Sequence, residues 1–102
     1  MIEFLKKIFR GSSIDFKEWV KKGAIIIDVR TPEEYKTGHI PNSKNYPLDN
    51  IRSKVNELKK SGKPVITVCR SGARSSIAKG ILKSAGIEVV NGGPWFSLKN
   101  KI

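Results

Sequence analysis

Apolar residues fall along this chain in two rhythms. Two continuous runs, Ala24-Ile25-Ile26-Ile27-Asp28-Val29 and Val65-Ile66-Thr67-Val68-Cys69, are rich in β-branched side chains and read as strands covered on both faces. Residues 87–90 read as a further short strand, and residues 44–46, closed by Pro47, as a weak one. Between these runs apolar positions recur every three or four residues, the period of an amphipathic helix. One helix is predicted over residues 16–22, capped by Ser13 or Asp15, with Phe16, Trp19 and Val20 on one face and Gly23 as its stop. Thr31 caps a second helix, with Pro32 in its first turn and Glu34 at capping-box spacing. A third covers residues 50–60, with Asp49 as its cap, Ile51, Val55 and Leu58 as its buried stripe, and Ser61-Gly62 as its end. A fourth follows Cys69, burying Ile77, Ala78, Ile81, Leu82 and Ala85 before Gly86 stops it. Asn91-Gly92-Gly93-Pro94 reads as a turn, and Trp95-Phe96-Ser97-Leu98 opens a last helical turn.

Strands that alternate with helices predict an α/β domain, a mostly parallel sheet with helices on both faces. The domain is expected over residues 13–102. Ahead of it, Ile2, Leu5, Ile8 and Phe9 alternate with Lys6, Lys7 and Arg10, forming a short basic amphipathic extension over residues 1–12. Glu3, Lys6 and Lys7 interrupt its apolar positions, so it does not read as a secretory signal. At this length it is expected to pack back or fray, not to stand alone as a helix.

Composition narrows the class. A length of 102 residues fits one domain that buries a core without staples. A single cysteine excludes an internal disulfide and a multi-cysteine metal site. No apolar run reaches the length of a bilayer span, so no integral membrane association is expected, and a reduced, cytoplasmic setting is the expected location. Lys and Arg outnumber Asp and Glu by 20 to 9, a net charge of +11. The bases are spread from Lys6 to Lys101, and such a field attracts anions in general. With no aromatic–basic stacking motif, the charge reads as a basic surface and not as a nucleic-acid site.

The chemistry concentrates at the end of the 65–69 strand. There the lone cysteine, Cys69, is followed by Arg70, Ser71, Gly72, Ala73, Arg74 and Ser75, and then by a helix. A lone cysteine at a strand end is ordinarily a small buried hydrophobe. Here it sits in a strand-to-helix turn that aims backbone N–H groups at one point, with the helix end and two arginines adding positive charge. These conditions lower a thiol below the roughly 8.5 of free cysteine. Asp28 falls at the same carboxyl edge of the sheet, where ligands bind in such folds.

Four separated motifs then carry a resemblance. Ile27-Asp28-Val29-Arg30-Thr31-Pro32-Glu33-Glu34-Tyr35, Gly38-His39-Ile40-Pro41, Val68-Cys69-Arg70-Ser71-Gly72-Ala73-Arg74-Ser75, and Gly92-Gly93 with Trp95 follow in this order over about residues 13–96. The chain resembles a single-domain rhodanese, a sulfurtransferase. The resemblance implies a five-stranded parallel sheet flanked by helices. It implies that Cys69 takes a sulfane sulfur from an anionic donor such as thiosulfate, forms a persulfide, and passes the sulfur to cyanide or a thiol, a protein thiol among the candidates. Neither a metal nor an organic cofactor is implied. The amides from Arg70 through Ser75, with Gly72 and Ala73 between, would surround the outer sulfur. Arg70 and Arg74 would hold the donor, and Ser71 and Ser75 would add polar contacts. Asp28 and Arg30 match residues that brace the loop, and His39 matches a structural turn.

Three further readings stay open at this point. Phosphatases of the same fold separate cysteine from arginine by five residues, whereas only Arg70, Ser71, Gly72 and Ala73 intervene here, a tighter loop suited to one sulfur. A non-catalytic interaction module is the second, and a protein-to-protein persulfide carrier is the third. Asn42-Ser43-Lys44-Asn45 replaces a small apolar strand usual in the family, and Trp95 follows Pro94 directly, which bears on donor selectivity.

Overall fold

The computed structural model describes residues 14–102. The expected basic extension and the possible cap Ser13 lie outside the described residues. The elements are α1 (Phe16–Lys21), β1 (Ile25–Asp28), α2 (Pro32–Lys36), β2 (Lys44–Asn45), a 3-10 helix (Leu48–Lys54), α3 (Val55–Ser61), β3 (Val65–Cys69), α4 (Ala73–Ser84), β4 (Val89–Pro94) and α5 (Trp95–Lys99). The strands form one parallel sheet in the order β2-β1-β3-β4. The α/β class is as expected, but the sheet has four strands among the described residues, not about five.

Alternation along the strands divides the core in two. Ile27, Val65 and Cys69 face one side with Val29, where Ile51, Leu58, Ala78 and Leu82 of the 3-10 helix, α3 and α4 cover them. Ile26, Ile66, Val68 and Val90 face the other side, under Phe16, Trp19, Trp95 and Leu98 of α1 and α5. Burying each Ile, Val or Leu of this kind is worth about 1.5–3 kcal/mol relative to exposure. β3 is buried at every residue, so the cysteine that ends it is anchored on the best-packed strand of the sheet.

Several local expectations need correction. Asp15 does cap α1, accepting from the Glu18 N–H at 3.3 Å, but Val20 lies at the surface. Thr31 and Glu34 form the expected capping box with Pro32 in the first turn. Asp49 caps nothing: Pro47 holds the cap position, and a 3-10 turn precedes α3. Ile77 is 57% exposed, because α4 turns Ser75, Ala78 and Leu82 inward, and Ile77 lies about 100° from that stripe. The last strand does not stop at residue 90. It runs through Asn91-Gly92-Gly93 to Pro94, with a register shift opposite Thr67 and Val68 that leaves Gly92 as the extra residue. A Cβ on Gly92 would lie 2.8 Å from Ile66 Cγ2 and 2.9 Å from Val68 Cγ1, so the bulge closes onto the core only because no side chain is there.

Candidate active site

β3 ends at Cys69 and α4 starts at Ala73, and Arg70, Ser71 and Gly72 turn the chain between them. Gly72 is the helix N-cap, with φ of +100°, a left-handed conformation that glycine adopts at little steric cost. It has no side chain with which to cap the helix. The sulfur takes that place: Cys69 Sγ accepts from the Gly72 N–H at 2.9 Å and from the Ser75 N–H at 3.4 Å, and lies 3.3 Å from Ser75 Oγ. Ser75 is the third residue of α4, the position whose N–H an N-cap side chain ordinarily satisfies.

Charge on the sulfur is therefore met by donors and by the positive end of α4. Cys69 has no exposed surface, and burial pushes its thiol up. Hydrogen bonds available from the Ser75 hydroxyl and from the Ser75, Gly72 and Ser71 amides outweigh that, leaving the thiol below its ordinary value. The loop is fixed from beneath by Thr67, whose hydroxyl donates to the Ser75 carbonyl at 2.9 Å.

The two arginines differ. Arg70 and Ser71 lie at the surface of the loop, as does Ala73. Arg74 is half-buried and makes a bidentate pair with Glu34 of α2, Nη1 to Oε1 at 2.7 Å and Nη2 to Oε2 at 3.0 Å. Arg74 holds the Glu34 carboxyl at about 2, and Glu34 in turn raises the Arg74 guanidinium. A residue expected to face a donor is thus tied to a carboxylate supplied by a separate motif.

Asp28 and Arg30 form a buried pair at the end of β1. Arg30 Nη2 donates to Asp28 Oδ2 at 2.7 Å and to the Gly38 carbonyl at 2.6 Å, and Arg30 Nε donates to Asp28 Oδ1 at 2.9 Å. The guanidinium lies 4.9 Å from the centre of the Trp95 ring, which also packs against Gly38. This knot ties β1, the turn after α2 and α5 together. His39 stacks on Tyr35 with ring centres 3.7 Å apart and contacts the Tyr35 carbonyl at 2.7 Å, well occupied in a turn.

From the sequence, Asn91 reads only as part of a turn. In the structure its Oδ1 accepts from Ser75 Oγ at 2.7 Å and from the Gly93 N–H at 2.8 Å, and its Nδ2 donates to the Gly72 carbonyl at 3.2 Å. The bond to the residue two positions on is an Asx-type turn, which Asn ahead of Gly-Gly permits. The bonds to the loop join residues far apart in sequence. Among the described residues no three His, Cys, Asp or Glu side chains gather as a metal site.

Known proteins resemble the chain in sequence and in fold. The chain is 37% identical over 65 residues to a putative sulfur carrier protein, YrkF, of Bacillus subtilis, matching 64% of this chain and 35% of that protein. It is 37% identical over 70 residues to the thiosulfate sulfurtransferase GlpE of Pseudoalteromonas translucida, 69% of this chain and 66% of that one. A rhodanese-related protein from Thermoplasma volcanium superposes with a TM-score of 0.72 at 32% identity, covering 85% of this chain and 86% of that one. The chain spans 56% and 35% of the length of two B. subtilis relatives, so it corresponds to part of each. A family model for the rhodanese-like domain matches residues 12–93, the stretch that holds all but the last residue of the sheet, the amide-lined cysteine loop and the Asp28–Arg30 pair, and this chain belongs to that family.

Proposed function

We propose that the chain is a sulfurtransferase that carries sulfane sulfur on Cys69 as a persulfide. The observation that supports this is the sulfur standing in for a helix cap, with the Gly72 and Ser75 amides pointed at it. In the first half-reaction the Cys69 thiolate attacks the outer sulfur of the donor. A bond forms between the two sulfurs, and the donor's own bond to that sulfur breaks, releasing sulfite when the donor is thiosulfate. In the second, cyanide or a thiolate attacks the outer sulfur and the Cys69 thiolate leaves, so electrons balance without a metal or an organic cofactor. The loop amides from Arg70 to Ser75 meet the charge of the outer sulfur, as backbone nests do for anions. The sulfur is covered at rest, so the loop has to admit the donor. A reducing, cytoplasmic compartment suits the free thiol, and no helix among the described residues is long and apolar enough to cross a membrane.

The engagement of Arg74 by Glu34 favours a second reading, a carrier that takes its sulfur from a protein or thiol persulfide and uses thiosulfate poorly. The deciding experiment is intact mass after exposure to thiosulfate and, separately, to a persulfide donor. Either reading expects a gain of one sulfur that a thiol or cyanide reverses, with no gain in Cys69→Ser or Cys69→Ala at unchanged fold. Rates identify the donor class. Wild-type protein that gains no sulfur from any donor, or a variant that turns over at the wild-type rate, overturns the assignment. Cys69-dependent hydrolysis of an aryl phosphate would move it to phosphatase chemistry.

A further inference from the structure

Asn91 stands at the β4 bulge, and the sulfur-transfer reading gives it no part. Two of its three partners have fixed polarity. The Gly93 N–H can only donate and the Gly72 carbonyl can only accept, so the amide must present Oδ1 to Gly93 and Nδ2 to Gly72. Oδ1 carries no proton. In the 2.7 Å contact between Ser75 Oγ and Asn91 Oδ1 the hydroxyl is therefore the donor. Ser75 has one hydroxyl proton. With that proton on Asn91, Ser75 Oγ can only accept at its 3.3 Å contact with Cys69, so the thiol S–H points at Oγ.

We propose that Asn91 is a positioning residue for the Cys69 proton: it holds the Ser75 hydroxyl away from the sulfur at rest, and ionisation of Cys69 swings that hydroxyl onto the thiolate. The proton balance is simple. The S–H proton leaves to solvent or buffer, the Ser75 O–H breaks from Oδ1, and it then donates to the sulfur. Asn91 Oδ1 keeps the Gly93 N–H, so no buried acceptor is left empty. Thiolate formation thus exchanges the S–H···Oγ contact for one from the hydroxyl to the sulfur and, because of Asn91, gives up one further neutral hydrogen bond, so Asn91 sets how much of the nucleophile is ionised. The consequence for sulfur transfer rests on the proposed function, but the titration itself does not.

The thiol titration can be followed by thiolate ultraviolet absorbance, with Cys69→Ala as the blank, in wild type, Asn91→Ala, Ser75→Ala and the double variant. The charged groups around the site, Arg70, Arg74 with Glu34 of α2, and the Asp28–Arg30 pair of β1, are common to all four. Asn91→Ala should lower the midpoint by about half to one pH unit, the equivalent of one neutral hydrogen bond. The shift should vanish in the Ser75→Ala background. A loosened loop would act with the opposite sign, because the Gly72 amide would then leave the sulfur. Asn91→Asp keeps the acceptor and adds charge, so it should raise the midpoint, and raise it less when Ser75 is Ala. If Asn91→Ala does not fold, the Asp pair decides. A rise or no change in Asn91→Ala, or a shift of equal size with and without the Ser75 hydroxyl, overturns the proposal. Sulfur loading measured by mass is a separate readout, so failure of the sulfurtransferase reading would be seen apart from failure of this one.

Discussion

Arg74 of the cysteine loop is paired with Glu34 of α2, a guanidinium against a carboxylate. The pair is about one-third exposed on each side, 36% and 32%, so water competes for both partners. Glu34→Gln removes the competing charge and leaves Arg74 free to meet an anionic donor. The expected result is an apparent KM for thiosulfate lowered about two- to fivefold, the range for a partly exposed ion pair. Arg74→Ala should raise that KM by a similar factor while changing a neutral sulfur donor less. Steady-state kinetics with the two donors separates the cases: equal changes for both donors would mean that the pair shapes the loop and does not select charge.

Two glycines near the site, Gly92 in β4 and Gly72 at the N-cap of α4, resist a side chain for different reasons. Gly92→Ala places a methyl 2.8 Å from Ile66 Cγ2 and 3.1 Å from Leu98 Cδ2, inside the α1 and α5 side of the core. Overpacking of this kind costs about 1–3 kcal/mol, and the lost stability should appear in a urea titration. Gly72→Ala meets no close atom, its nearest neighbour being Gly93 Cα at 3.5 Å, and its cost is conformational, about 1–2 kcal/mol for a left-handed residue. The two variants should part in their thiol titrations. Tilting the Gly72 amide removes a donor from Cys69 Sγ and moves the thiol midpoint up, whereas Gly92→Ala alters the sulfur only as far as β4 shifts Asn91.

At the scale of the whole molecule, charge sets how stability should respond to pH and how encounter with an anion should respond to salt. Glu34 is held at about 2 against an ordinary 4.5, chiefly by Arg74. Its carboxyl ionises more readily folded than unfolded, so the contribution is complete above pH 4.5 and is lost as the pH falls toward 2. The thermal midpoint should decline over that window, and less steeply in Glu34→Gln; parallel declines would assign acid loss to other carboxylates. Tyr46 is the alkaline counterpart. Glu57 accepts its phenol proton and raises it from 10 to about 12, a contribution present below pH 10 and lost through pH 12. The net charge of +11 should draw in an anionic donor over a distance that salt shortens, from about 30 Å at 0.01 M to about 8 Å at 0.15 M. The apparent affinity for thiosulfate should therefore fall across that range, and salt-independent binding would contradict a long-range field.

What the sequence determined by itself is what neighbours along the chain control. The runs at residues 25–28 and 65–69 made strands because they are dominated by β-branched apolar side chains, with Asp28 and Thr67 their polar members, and the Thr31–Glu34 capping box closed because all its atoms lie within one turn. The cysteine loop was legible for the same reason: strand, glycine turn and helix are contiguous, so the amides could be placed around Cys69 from spacing alone. The tertiary structure decided what depends on elements far apart. Nothing in residues 69–76 says that Arg74 will meet Glu34, forty positions earlier, because that pairing exists only where α2 and α4 are brought together. Asn91 reads as a turn residue because its Asx bond to Gly93 is local, while its contacts with Ser75 and Gly72 arise only when β4 pairs with β3. Ile77 reads as core because helical period fixes which residues share a face but not which face turns inward. Ser75, drawn beneath the loop to Cys69 and Asn91, fixed that rotation and left Ile77 in solvent.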